Sequence, residues 1–408
     1  MLRDVALIVP TRDRPDFVHR LLSYHVKSRG LQIVMGDGSK PEQVAENRRI
    51  IQSFADAGLD IIHYVPSQTV VEQDGLQGIC SYFQRQVNAA KLSPRKFIYV
   101  GADDDFVSPE FLSEAAAFLD ANPDYSAVTG YVFSFRLDGR GVEGDVSERG
   151  FTPFRSTARA EHRAADRIAR YEGMSFTNLD SACVRRNVYD KVGEVLLNLA
   201  QRAQDPNDPT RPEITTFTTI YVYDLVADHL ALAYGKVHWL PRVQQARHHH
   251  DTNLGGRIRR EYKANLGDSF VAPHWPSLIA LYFDALGDAL VGEAGVDRSA
   301  ARRIAEGGLA LRAGPRLSYE GKLRLAEQGE GPEELPREAG GSELRRLIRI
   351  IPGMRNLARA VYNRIAEFRA APPKLEALPA DVNALFEFLK QYRRASDRNG
   401  LVATEKVA

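Results

Sequence analysis

An α/β fold, a sheet with helices packed on its faces, is predicted for the first third of the chain by two observations. Apolar runs of strand length take turns with amphipathic runs of helix length, and turns carrying Pro, Gly and Asp separate them. With 408 residues, 44% hydrophobic and 26% charged, the chain can build two or more domains, or one large domain with an appended region. Taken in order, Val5 to Thr11 reads as a buried strand, 16–28 as an amphipathic helix, 31–39 as a second strand and 41–58 as a second helix. Residues 59–66 read as a third strand, 78–91 as a third helix, 96–105 as a fourth strand, and a further helix starts near Pro109.

From about Tyr125 the pattern changes to strands and loops, with a polar stretch to about Arg170. A helix ending near Gly235 and a short strand to Pro241 follow, and beyond residue 250 the chain reads as mostly helical, interrupted by a Gly, Glu and Pro-rich stretch at 328–341. These shifts suggest a domain over 1–255, divided into 1–125 and 126–255, and a helical region over 256–408.

The totals exclude some classes. A formal charge of +1 argues against a nucleic-acid partner, which normally shows a strong basic excess. The two cysteines, Cys80 and Cys183, lie far apart without CxxC company, so neither a disulfide framework nor a zinc site of the usual spacing is indicated. The N-terminal apolar run is far shorter than a signal or spanning segment, and a cytoplasmic protein is expected.

The chemistry is expected at strand ends, because ligands of such sheets bind beyond the carboxyl ends of the strands. Pro10 to Arg14, Gly36 to Ser39 and Gly101 to Asp105 all stand at such ends. Asp103, Asp104 and Asp105 are three adjacent carboxylates, a costly arrangement that a hard divalent cation relieves. A solvated acidic turn capping the next helix is the plainer alternative.

The order of "VPTRDRP", "GDGS", "GADDDFVSP" and a later "YDLVADHLALAYGKVHWLP" resembles the GT-A glycosyltransferases, especially the family-2-like group, over roughly residues 3 to 250. The resemblance implies a Rossmann-like mixed sheet flanked by helices. It implies that Pro10, Thr11 and Arg14 border a nucleotide, that Asp37 contacts its base or ribose, and that Mn²⁺ or Mg²⁺ sits at Asp103 to Asp105. In one register Ala102 takes the first acidic position; in the other Asp103 and Asp105 hold the metal and Asp104 touches the sugar or ribose. At the second strand's end Gly36 stands where the family has a first acid. The resemblance further implies Asp224 as general base of an inverting transfer, with Tyr223 in place of the preceding Glu, and Arg85 near the diphosphate. A metal-ligating His is implied from His248, His249 and His250, with His249 favoured.

The substrates implied are a UDP- or GDP-linked sugar and a glycan or lipid-linked acceptor, in bacterial surface glycan or glycolipid synthesis. A basic, apolar stretch at 342–369, broken by Pro352 and Gly353, can pack on the protein or lie on anionic lipid at the inner face of the plasma membrane. Two rival readings are a sugar-phosphate nucleotidyltransferase, against which the absence of Gly in "VPTRDRPDF" counts, and a non-catalytic relative that binds a glycan or protein.

Overall fold

Seven successive buried residues, Val5–Thr11, form β1, and such continuous burial requires cover on both faces of the sheet. The computed structural model describes residues 2–66, 76–139, 146–151, 158–170, 181–205, 216–250, 275–313 and 380–399, together with 142, 144 and 207. Parallel to β1 run β2 (Gln32–Asp37) and β4 (Phe97–Val100), and β3 (Asp60–Tyr64) runs parallel to β2. The register sets Thr11 beside Asp37. The expected strand ends therefore meet at one edge.

The covering helices are α1 (Pro15–His25), α2 (Pro41–Asp56), α3 (Leu76–Lys91) and α4 (Pro109–Ala121). Pro opens α1, α2 and α4, where its missing N–H costs no helical bond. Ser108 caps α4 by accepting from Phe111 N at 3.2 Å.

Beyond β4 the sheet becomes mixed, in the order β3-β2-β1-β4-β8-β6-β9-β5 with β7 on β6. The strands added are β5 (Phe106–Val107), β6 (Tyr125–Leu137), β7 (Val146–Phe151), β8 (Cys183–Arg185) and β9 (Lys236–His248). β8 is antiparallel to β4 and β6, β9 is parallel to β6, and β5 is antiparallel to β9. The strand expected to stop at Pro241 continues to His248. Between the pairs Thr129↔Trp239 and Tyr131↔Val243, β9 carries extra residues that include Pro241, a bulge where its missing donor is tolerated. Gly130 faces that bulge: a Cβ there would lie 2.5 Å from Arg242 O, so only glycine fits.

The remaining helices are α5 (Ala164–Ala169), α6 (Arg186–Gln204), α7 (Thr216–Tyr234), α8 (Trp275–Ala294), α9 (Arg298–Ala313) and α10 (Ala380–Asn399). One core joins α3, α6 and α7 to Tyr282, Phe283 and Leu286 of α8 and Ala301 and Ala305 of α9. A second lies under α1, α2 and α4. In a third, Val382, Leu385, Phe386 and Leu389 of α10 pack on Phe106, Phe133, Phe135, Val243 and Ala246 of the sheet. The helices described within 256–408 thus share cores with the sheet. Residues 328–341 and 342–369 lie outside the described residues, and no described helix is long and apolar enough to cross a membrane.

One buried group on α1 carries a pH consequence. His25 is fully buried, and burial pushes its imidazole down to about 3. Below the ordinary value of 6.5 the unfolded chain takes up a proton that the folded chain refuses, so stability is full above that pH and falls as pH drops. From pH 7 to pH 5 this group is expected to cost about 2 kcal/mol. Urea unfolding at both pH values checks this; the drop should shrink by about that amount in His25→Leu.

Candidate active site

The chain leaves β4 at Val100 and re-enters the sheet at Phe106 beside β9, so Asp103, Asp104 and Asp105 occupy a tight turn between two strands. All three are buried. Their carboxylates are turned to three different sets of partners.

Asp103 faces β1 and the loop after it. Thr11 Oγ1 donates to its Oδ2 at 2.7 Å, and Arg14 Nη1 donates to its Oδ1 at 3.1 Å. Asp104 shares the same Nη1, at 3.2 Å from its Oδ2, and that oxygen also lies 2.7 Å from His250 Nε2. Asp105 faces β9: its Oδ1 accepts from His248 N at 2.9 Å, its Oδ2 accepts from Gln245 Nε2, and Arg247 Nε is 3.8 Å away. Tyr99 fixes Gln245 by donating to its Oε1 at 3.1 Å.

These surroundings separate the three acids. Burial, then the neighbouring Asp104 charge, push Asp103 up to about 6 and Asp105 up to about 7. Burial also acts to raise Asp104, but the hydrogen bond from His250 and the charge of Arg14 outweigh it and hold its carboxyl below the ordinary value. Asp104 is therefore the fixed negative charge of the turn, in contact with Arg14 and His250.

Arg20 of α1 stands behind the turn. Its guanidinium carbon lies 4.9 Å from the centre of the Phe17 ring and 5.0 Å from that of Phe106. Its Nη2 donates to Asp104 O at 3.0 Å and sits 3.3 Å from His248 Nδ1. Burial first, with the Arg20 charge second, pushes His248 down to about 3, which makes it a neutral ring, stacked on Phe135 at 4.9 Å.

The three histidines divide by alternation. His248 and His250 lie on one side, 4.9 Å apart, and His250 stacks on Phe17 at 5.3 Å. His249 Nε2 lies 3.2 Å from Ser134 Oγ, away from the turn. The ligand role expected of His249 thus meets Ser134 in the structure, and the imidazole on the aspartates is that of His250.

Next to this cluster, one β-pair away, Asp37 ends β2. Its Oδ1 accepts from Ser39 N at 3.0 Å, and its Oδ2 lies 2.9 Å from Asn47 Nδ2 and 3.0 Å from His63 Nε2. Burial acts to raise its pKa, and the hydrogen bonds from His63, Ser39 and Asn47 together overcome it, so the carboxylate stays ionised. The loops are laced across: Gly38 N donates to Thr11 O at 3.0 Å, Asp13 N to Ser39 Oγ at 2.7 Å and Lys40 N to Asp13 Oδ1 at 2.8 Å. Asp13 has φ 54, a left-handed conformation that costs about 1–2 kcal/mol outside glycine and is held here by those two bonds. Arg85 of α3 is buried; burial first pushes its guanidinium down to about 10, and the charges of Asp37 and Asp103 oppose that shift.

Pro10, Thr11, Arg14, Asp37, Arg85, Asp103 and Asp104 are thus collected at one end of the sheet. Asp105 sits there too but is bound into β9. Asp224 lies in the first half of α7, and its side chain is outside the described ones; Asp228, one turn later, is fully buried. The residues that sequence reasoning passed over are Arg20, His63 and Gln245, and His250 stood among its three histidine candidates without being the favoured one. Arg20 carried a signal, a cation inside the apolar stripe Phe17, Leu21, Tyr24 of α1.

For a hard divalent cation the donor set fits in one form. Asp104 Oδ2 and His250 Nε2 are hydrogen-bonded to each other at 2.7 Å and would face a cation together once that bond opens, and among the described residues no group of three His, Cys, Asp or Glu side chains closes a cage. Such a pair suits a cation whose other positions are filled by phosphate and water.

No family model and no curated protein matches the sequence. Among solved structures the chain is similar to TarS 1-349 of S. aureus, at 13% identity and TM-score 0.39, covering 82% of this chain and 94% of that one. TarS 1-349 has also been solved with UDP-GlcNAc. The mannosyltransferase PcManGT from Pyrobaculum calidifontis, solved with GDP-Man and Mn²⁺, gives 15% identity and TM-score 0.32, over 80% of this chain and 79% of that one. Glucosyl-3-phosphoglycerate synthase from Mycobacterium tuberculosis gives 11% identity and TM-score 0.34, over 68% and 80%. At such scores the likeness carries no argument about chemistry, which rests on the sheet topology and the side chains described above.

Proposed function

We propose that this chain is a metal-dependent glycosyltransferase that moves a sugar from a nucleoside-diphosphate sugar to an acceptor hydroxyl. The observation that carries the reading is the position of the buried aspartates. The chain passes from β1 to β2 on one side and, through β3, to β4 on the other, which makes the crevice beyond β1 and β4 a topological switch point. Asp103 and Asp104 stand at that crevice with Thr11, Arg14 and His250 against them.

In this reading Asp104 and His250 hold Mn²⁺ or Mg²⁺, in place of the Asp103, Asp105 and His249 set expected from the sequence. A cation held there would supply positive charge to offset that of the departing nucleoside diphosphate. Arg14, held at the mouth by two carboxylates, is placed to exchange part of that contact for a phosphate oxygen. Arg85 adds a fixed positive charge behind the diphosphate, and Asp103 keeps Arg14 and Thr11 in register. Asp105 serves the turn by anchoring it to β9. Asp224 is assigned as the base that takes the acceptor proton in an inverting transfer.

The acceptor class proposed is a glycan or a lipid-linked sugar, in surface glycan or glycolipid synthesis at the cytoplasmic side of a membrane, with 342–369 as the membrane-facing segment. Calorimetric titration of UDP and GDP, with and without Mn²⁺, tests the reading. Binding of one nucleotide at least tenfold tighter with Mn²⁺ is expected; binding of neither, under both conditions, would overturn it.

A further inference from the structure

The acid at the end of β2 is in the wrong state of exposure to touch a ligand. The Asp37 side chain is 0% exposed, whereas the His63 side chain bonded to it is 12% exposed. His63 lies on β3 opposite Met35, two residues before Asp37, and so at the same end of the sheet as Thr11 and Asp103. Asp37 is ionised and acceptor-only, so the ring nitrogen 3.0 Å from its Oδ2 is the one that donates. In neutral His63 that fixes the proton on Nε2 and leaves Nδ1 as an acceptor. No described residue donates to Nδ1.

Resting on the donor-site reading above, we propose that His63 is the residue that reads the nucleoside of the donor. Nδ1 accepts a hydrogen bond from a nucleoside N–H or O–H, and Asp37 is a positioning residue that acts through the ring. The neighbouring groups support this. Thr11 pairs through its backbone with Asp37 and through its side chain with Asp103, so this one residue of β1 links the His63–Asp37 pair to the acids that take the diphosphate end. Asn47 and Ser39 hold Asp37 from its other sides, which keeps the carboxylate aimed at the ring. An acceptor fixed in this way favours a nucleoside that presents a donor and disfavours one that presents a second acceptor or a methyl group.

The test uses the full chain with Mn²⁺ and titrates UDP and GDP against analogues that lack one donor each: N3-methyl-UDP, N1-methyl-GDP, and the 2′-deoxy and 3′-deoxy forms. For the better-bound parent, removal of one donor is expected to weaken binding roughly tenfold or more. The methyl and deoxy arms tell base from ribose. His63→Phe should bind the parent that much more weakly, show no further loss with the same analogue, and bind pyrophosphate as the unaltered chain does, which also shows that it is folded. Asp37→Asn should weaken the parent similarly, and selective ¹⁵N-histidine spectra should then show His63 exchanging between tautomers instead of holding its proton on Nε2. If His63→Phe does not fold, the spectrum of the unaltered chain decides, since parent nucleotide must move the Nδ1 resonance. Unchanged parent affinity in His63→Phe, or an unmoved Nδ1, overturns the proposal while the donor site stands; no binding of either parent overturns the donor site itself.

Discussion

Asp104→Ala is expected to remove Mn²⁺-dependent nucleotide binding and to lower turnover by roughly 10²–10³-fold, with little loss of stability. Its carboxylate meets Arg14 Nη1 and His250 Nε2 at one oxygen, whereas its contribution to packing runs through the backbone carbonyl held by Arg20, which alanine retains. Removing the charge also relieves the repulsion that raises Asp103 and Asp105. Asp105→Ala should behave in the opposite sense. It leaves the buried His248 N–H and Gln245 amide without their acceptor and should cost about 2–3 kcal/mol of stability. Calorimetry and urea unfolding on both variants separate the two roles. Equal loss of binding with equal loss of stability would show that the turn works only as a structural unit.

Phe386→Ala is expected to destabilise the protein by about 3–5 kcal/mol, a large share of the roughly 5–15 kcal/mol that holds a typical domain folded. Phe386 is edge-on to Phe133 at 5.5 Å and belongs to the core that α10 makes with β5, β6 and β9. From the same helix Phe388 lies 5.8 Å from Phe106, whose ring carries Arg20, and Tyr392 OH is 2.9 Å from His19 Nδ1. The truncation should therefore lower nucleotide affinity as well as the urea midpoint. A normal midpoint would mean that α10 adds little to the fold.

The parallel half of the sheet was legible because β1, β2 and β4 are continuously buried and α1, α2 and α4 open on Pro, so period and punctuation agree. The extension of β9 past Pro241 was not legible. A proline reads as a stop unless a bulge accepts it, and the bulge depends on Gly130, more than 100 residues earlier. At the site, "DDD" announced charge that needs a partner but not which oxygen meets which group. That depends on β5 folding back onto β9, a strand of two residues with no periodicity to detect. The three histidines show the same limit. Once β9 is known to run to His248, alternation sends His249 away from His250; without the strand's length the sequence leaves them equivalent. His63 escaped notice because a single histidine within an apolar strand has no pattern, and its role depends on Asp37 beside it in the sheet.

The docking of α10 also orders events during synthesis. Phe106, Phe133 and Phe135 enter the growing chain early, but the helix that covers them begins about 130 residues after β9 ends. At ordinary translation rates that interval is roughly 7–25 s, far longer than a domain needs to collapse. Throughout it the nascent sheet lacks the cover that α10 gives this aromatic face, beside a turn of three carboxylates. Ribosome-bound chains halted before residue 380 should recruit hydrophobic-binding chaperones at that face, and the recruitment should cease once Leu389 has cleared the exit tunnel.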